Sequence, residues 1–364
     1  MGPEVRMRRV GLLVVLFACR KDDLLIPLDT SETDATGDAD TDADSDADTD
    51  ADSDADTDAD SDADTDADTD ADAVPIRFVA LGDTGEGNAA QYAVADAMVT
   101  VCAARGCDFG MLLGDNFYPT GVSGVDDDQF QDKFEIPYAD LDMPFYVAGG
   151  NHDYGGEGIG IEFWKLDYEV AYSDQSDKWR MPNNFYSFMV DDVQFVALDT
   201  NAILYSLYGS LMGAEDQEAW IEDRWAEPAR LRVAFGHHPY VSNGKHGNAG
   251  EYEGLADWIP LVDIPRGDYV KEFFDGHVCD MADIYFSGHD HDRQWLAPPA
   301  TCNTEFVVSG SGSKLTDNAE RGNLSNFEDF TSEGFVWVEI TGTDVRLAFY
   351  DKNGTMQHEG VASF

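Results

Sequence analysis

Five short stretches of this chain each close an apolar run with a glycine and then place side chains able to hold a cation. Asp83 stands in ALGDTG, and Asp115, Asn116 and Tyr118 stand in LLGDNFY. Asn151, His152 and Asp153 follow in VAGGNHD, His237 and His238 in VAFGHHP, and His289, Asp290 and His291 in YFSGHDH. Each cluster alone has a plainer meaning. GDTG can be a tight turn with Asp83 capping the next helix. GNHD can be a polar loop, GHH packing or surface, and HxH a strand end without metal. Five such clusters, each after a buried-strand run and each preceded by Gly, are hard to explain as independent accidents. A glycine lets the backbone turn sharply at a strand end and bring the next side chain inward.

The elements needed to position them are legible as apolar patterns. Strand runs are read at 76–83, 109–115, 144–150, 185–190, 193–199, 231–236, 282–288, 305–312, 335–341 and 344–350. Helical spacing is read at 88–104, 214–227 and 268–278. Strand and helix alternate early and strands dominate late, which fits an α/β protein with two packed sheets flanked by helices. In open α/β sheets ligands bind beyond the carboxyl ends of strands, so clusters spread over 200 residues can meet.

The charge balance narrows the chemistry. The formal net charge is −51, with only 22 Lys and Arg. Every even position from Asp38 to Asp72 is Asp, 18 in all, and setting these aside still leaves −33. Such a chain does not bind nucleic acid through a basic surface. It also repels a phosphate ester at long range, so phosphate chemistry here needs bound cations as the local positive charge.

The order GDxG, GDxxY, GNH, GHxP, GHxH resembles the calcineurin-like metallophosphoesterase superfamily. Tyr118 in GDNFY makes it similar to the purple acid phosphatases, above all their small tartrate-resistant branch. The likeness runs from about Ile76 to the C-terminus and includes GDNFYPTGV (114–122), PFYVAGGNHD (144–153), GHDH (288–291) and SGSGS (309–313). It implies a four-layer αββα sandwich of two mixed β-sheets. It also implies that Asp83, Asp115, Tyr118 and His291 hold Fe(III), and that Asp115, Asn151, His237 and His289 hold a divalent Fe, Zn or Mn, with Asp115 shared. Hard carboxylate and phenolate donors suit the ferric ion, and imidazole and amide oxygen the divalent one. The activity implied is acid hydrolysis of phosphate monoesters by hydroxide generated at the metal pair. His152 is assigned to phosphate binding and leaving-group protonation, and His246, in KHGN, to the substrate side. His238 stands where the family often has Tyr and is not expected to ligate. Asp153 and Asp290 are expected to orient their neighbours. Trp164, Trp220, Trp225, Trp258 and Trp295 are read as core or cleft wall.

The rest of the chain speaks of location. Residues 1–19 read as a lipoprotein-type signal peptide: Arg6, Arg8 and Arg9, then the apolar VGLLVVLFA, then a lipobox-like Leu16-Phe17-Ala18-Cys19. Residues 20–73 read as an Asp-rich tether whose like charges extend it, leaving 74–364 as the catalytic domain. The expectation is export to a bacterial cell envelope, anchored in the outer membrane or at the surface by lipid alone, as a monomer acting on a small phosphomonoester or a phosphoprotein. Cys102, Cys107, Cys279 and Cys302 are an even set that permits two disulfides, Cys102–Cys107 and Cys279–Cys302 by nearness in sequence, or four free thiols. The rivals are a phosphodiesterase or phosphoprotein phosphatase of the same superfamily, and an inactive surface-displayed binding protein on this scaffold.

Overall fold

The computed structural model describes residues 74–206, 214–253, 266–319 and 321–364. The leader with Cys19, the aspartate tract and Trp258 lie outside them. Among the described residues the strands are β1 (Ile76–Leu81), β2 (Phe109–Leu113), β3 (Phe145–Ala148), β4 (Trp179–Arg180), β5 (Tyr186–Val190), β6 (Val193–Ala197), β7 (Leu231–Phe235), β8 (Ile284–Ser287), β9 (Arg293–Leu296), β10 (Glu305–Ser309), β11 (Ser325–Asp329), β12 (Gly334–Thr341), β13 (Asp344–Asp351) and β14 (Met356–Ser363). The α-helices are α1 (Ala89–Arg105), α2 (Leu166–Tyr172), α3 (Thr200–Leu204), α4 (Ala214–Trp225) and α5 (Asp268–His277).

The strands form two seven-stranded sheets, ordered β14-β13-β12-β1-β2-β3-β4 and β11-β9-β10-β8-β7-β6-β5. In the first, β1, β2 and β3 run parallel. In the second, β6, β7, β8 and β10 run parallel. These central strands are covered on both faces, so they read as unbroken apolar runs rather than as alternating ones. The sheets are mixed and flanked by helices, as expected for the αββα sandwich.

Aromatic rings lock the sheets together. Phe78 of β1 stacks on Phe109 of β2 and meets Phe195 of β6 and Phe286 of β8 edge-on, with centroids 5.0 to 5.9 Å apart. Phe78 is fully buried, and cutting it to Ala would cost about 3–5 kcal/mol. On the outer face of the first sheet α1 buries Val94, Met98 and Val101. Its N-cap is Asn88, whose side chain accepts from the Ala90 and Gln91 amides at 3.0 Å. Asp83 is therefore not a helix cap. Behind the second sheet, Val270 and Phe274 of α5 join Ile203, Ile221 and Tyr285 in a separate cluster.

Several elements escaped the pattern reading. Strand β14 is an edge strand, exposed along most of its length, so burial imposes little apolar pattern on it. Strand β9 buries all four residues, including Arg293, whose charge breaks the apolar run; Arg293 pairs with Asp329. The short α2 and α3 and the two-residue β4 are below the length at which a period shows. The tryptophan reading needs one correction. Trp225 and Trp295 are buried, but Trp164 is 57% exposed, because it sits in a surface segment just before α2. The disulfides Cys102–Cys107 and Cys279–Cys302 are both formed.

Candidate metal centre

The five clusters fall just beyond the carboxyl ends of β1, β2, β3, β7 and β8, three from one sheet and two from the other. The backbone turns there are tight. Asp83, Asp115 and His289 have φ of 58°, 55° and 70°, a left-handed conformation that is costly for residues with a Cβ. The glycine before each does not absorb the whole turn, as the sequence suggests; the functional residue carries part of it. Gly114 is also needed for space: at φ 86°, a Cβ there would meet His237 Nδ1 at 2.7 Å.

The seven expected ligand side chains converge. The Tyr118 hydroxyl lies 2.8 Å from both Asp83 Oδ1 and Asp115 Oδ2 and shares its single proton between them. His291 Nε2 lies 3.4 Å from that hydroxyl and 3.3 Å from Asp83 Oδ1. On the other side, His237 Nε2 lies 3.4 Å from Asp115 Oδ2, 2.9 Å from Asn151 Oδ1 and 3.0 Å from His289 Nδ1. Two groups of donor atoms thus meet, and Asp115 Oδ2 belongs to both. Asp83, Asp115 and His237 each place one donor atom within 4.8 Å of the others. Hard oxygens dominate the first group, and imidazole nitrogen with amide oxygen the second. Each suits the class of cation the sequence resemblance implies for it.

The electrostatics agree with that donor role. Burial alone would raise the Asp115 carboxyl, but the charges of His237 and His152 outweigh it and hold the group well below the usual range. Burial would depress His237, yet the Asp115 carboxylate lifts it to about 9. Burial, then the Asp115 and Asp83 charges, push the Tyr118 phenol well above 10. Two buried carboxylates beside a phenol and three imidazoles need positive charge; a protonated His237 supplies it without metal, and bound cations would supply it with the imidazoles neutral.

Neighbouring residues fix the geometry. Asp153 accepts from the amides of Gly150, Asn116 and Phe117 at 2.8, 3.1 and 3.0 Å, tying the loops after β2 and β3 together. Asp290 accepts from Ser242 Oγ at 2.5 Å and from the His246 amide at 2.7 Å, so it seats the loop that carries His246. The His246 ring lies over that of His289, with centroids 4.2 Å apart. His238 is fully buried, bonded through Nδ1 to Thr200 Oγ1 at 2.8 Å. It backs the centre and does not line the cavity.

A cavity of about 170 Å³ opens on the centre, lined by Asp115, Asn151, His152, Glu157, Gly158, His246, His289 and His291. Two neighbours went unread in the sequence. Glu157 lies four residues past GNHD in a glycine-rich run. Lys314, just after SGSGS, places Nζ 3.2 Å from the Tyr118 ring centroid and pairs with Glu86. No metal-binding pattern includes either.

A model of the calcineurin-like phosphoesterase family matches residues 76–293. The chain is 28% identical over 314 residues to tartrate-resistant acid phosphatase type 5 of Sus scrofa, covering 77% of this chain and 84% of that protein. It is 26% identical over 311 residues to purple acid phosphatase 3 of Arabidopsis thaliana, covering 78% and 76%. Among solved structures it is similar to GAP50, described as the anchor in the inner membrane complex of Plasmodium, with TM-score 0.63, 21% identity and coverage of 80% and 89%. It is also similar to purple acid phosphatase PPD1 from yellow lupin seeds, with TM-score 0.56, 17% identity and coverage of 80% and 54%. At these identities the two structures speak for the fold.

Proposed function

Because the chain belongs to the calcineurin-like phosphoesterase family, we propose that it is an acid phosphatase of the purple, tartrate-resistant kind, hydrolysing phosphate monoesters at a two-metal centre. The observation that carries this reading is the shared oxygen: Asp115 Oδ2 contacts both Tyr118 and His237. Asp83, Asp115, Tyr118 and His291 would hold Fe(III). Asp115, Asn151, His237 and His289 would hold a divalent Fe, Zn or Mn. Bound there, the cations supply Lewis-acid polarisation of the ester and acidification of water.

The chain's own residues bind, orient and move protons. His152 Nδ1 bonds the Pro119 carbonyl at 2.6 Å, which leaves Nε2 for the substrate. We assign this nitrogen to hold a phosphoryl oxygen and to protonate the departing alkoxide. His246 is assigned to the substrate side of the cavity. Asn151 Nδ2 donates to the Gly158 carbonyl at 2.7 Å, so the amide oxygen is oriented to the centre. Tyr118 disfavours the phosphodiesterase and protein-phosphatase rivals, whose members usually carry a non-chromophoric residue there.

The leader and Cys19 support export and a lipid anchor, with the Asp tract as spacer and the enzyme a monomer at the cell envelope. No helix of the described residues is long and apolar enough to cross a membrane. The deciding experiment is the visible spectrum and metal content of protein purified without added metal, with assays on p-nitrophenyl phosphate and its bis-ester. Absence of iron and of any other transition metal would overturn the reading in favour of the inactive binding protein. A preference for the bis-ester would favour a phosphodiesterase.

A further inference from the structure

Between the centre and α2 the chain passes through Gly155-Gly156-Glu157-Gly158-Ile159-Gly160. Through the first four of these positions Glu157 supplies the sole side chain. Its φ is 54°, a conformation glycine adopts freely and Glu does not. Of the six described non-glycine residues with positive φ, three are the proposed ligands Asp83, Asp115 and His289. Glu157 is a fourth and also faces the centre's cavity. Strain of this kind concentrates at functional sites.

The turn is held in place on both sides. The Gly158 carbonyl accepts from Asn151 Nδ2 at 2.7 Å, and a Cβ on Gly158 would meet the His152 ring at 2.5 Å. The Gly156 amide donates to Glu162 Oε2 at 2.9 Å, and Asn201 Nδ2 donates to the Gly160 carbonyl at 3.0 Å. Tyr205 donates to the Ile159 carbonyl. Glu157 therefore sits in a turn whose next residue, Gly158, packs against Asn151 and His152, and it shares their cavity. It is exposed, and among the described residues no ion pair to it is seen. In the cavity lining it is the carboxylate that the metal centre does not use. A cationic group on a substrate can pair with this carboxylate, and the phosphoryl group cannot.

We propose that Glu157 selects phosphomonoesters whose alcohol carries a cationic nitrogen a few bonds from the ester oxygen, as in amino-alcohol phosphates. The proposal rests on the phosphatase reading above. The phosphoryl end lies at the centre and the ammonium end at Glu157. Water forms the new bond to phosphorus, and the amino alcohol leaves with the proton delivered to its oxygen. A cavity of about 170 Å³ suits so small an ester. The acidic chain, at −51, repels esters that carry only negative charge more than those that also carry a cationic nitrogen.

The test compares phosphoethanolamine with n-propyl phosphate, which match in length and differ by ammonium against methyl. The ratio of their kcat/KM values is measured for the wild type, Glu157→Gln and Glu157→Gly. Comparing ratios between proteins cancels the difference between the leaving groups. The ratio should fall about fivefold in both variants, the scale of a solvent-exposed charge pair. Added salt should erode it in the wild type alone. Glu157→Gly suits the backbone conformation, so misfolding cannot account for its loss of preference. An unchanged ratio, or equal slowing of both esters, overturns the proposal. Wild-type hydrolysis of p-nitrophenyl phosphate separates the two failures: turnover there with an unchanged ratio sinks the Glu157 assignment alone, and no turnover of any ester sinks the phosphatase reading with it.

Discussion

The hydroxyl of Tyr118 donates to Asp115 Oδ2 at 2.8 Å, and that same oxygen lies 3.4 Å from His237 Nε2. One carboxylate oxygen thus belongs to both halves of the donor set. Asp115→Asn keeps the shape but removes the anionic oxygen that the proposed bridging role requires. Metal content should drop from about two ions per chain to fewer than one, and kcat/KM by at least about 10³-fold. A variant retaining two ions would show that Asp115 does not bridge.

The proposed ferric site makes Tyr118 the expected chromophore. Its phenol is neutral without a cation, because burial and then the Asp115 and Asp83 charges hold the proton on. If Fe(III) is the cation held there, as proposed, Tyr118 would meet it as the phenolate and would be the source of a visible charge-transfer band. Tyr118→Phe should abolish visible absorption while iron is still detected by elemental analysis. Persistence of the band would place the chromophore elsewhere.

His152 should matter most when the leaving group needs a proton. His152→Ala should slow an alkyl phosphate by about 10²-fold or more and p-nitrophenyl phosphate much less, since p-nitrophenolate leaves unprotonated. Equal effects on the two esters would limit His152 to binding phosphate.

Much of this site was legible because it is built from strand ends. Strands β1, β2, β3, β7 and β8 are buried along most of their lengths, so each shows as an apolar run whose polar terminus stands out. Glu157 and Lys314 were not legible. Glu157 reaches the cavity through a glycine-rich turn that is held by Asn201, Tyr205 and Glu162, contacts that no local pattern encodes. Lys314 reaches Tyr118 across 196 residues of sequence. Strand β14 was missed for the opposite reason, since an edge strand facing solvent needs no apolar period.

Asp199 gives a pH dependence apart from the metal site. It is buried, accepts from the Ala202 amide at 2.9 Å and from the Tyr154 hydroxyl, and burial lifts its pKa from 3.8 to about 6. The folded state therefore holds the proton more tightly than the unfolded state. The stability this group lends is full below pH 3.8 and is lost as pH rises through about 6, by up to about 3 kcal/mol. Asn at this position cannot ionise. The unfolding free energy of Asp199→Asn relative to wild type should therefore rise between pH 3.5 and pH 7, as read by urea titration. A flat difference would mean that Asp199 titrates alike in both states.

The two disulfides should contribute unequally. Cys279–Cys302 spans 23 residues and Cys102–Cys107 spans 5. Restricting the unfolded chain is worth about 3 kcal/mol for the longer loop and about 2 kcal/mol for the shorter. Cys279 and Cys302 are also buried, while Cys102 and Cys107 are only partly so, and truncation in the core adds a packing loss. The double variant Cys279→Ala/Cys302→Ala should therefore lose more stability in urea than Cys102→Ala/Cys107→Ala. Equal losses would mean that the segment between Cys279 and Cys302, which includes β8, already has structure in the unfolded chain, so that closing its loop removes little further freedom.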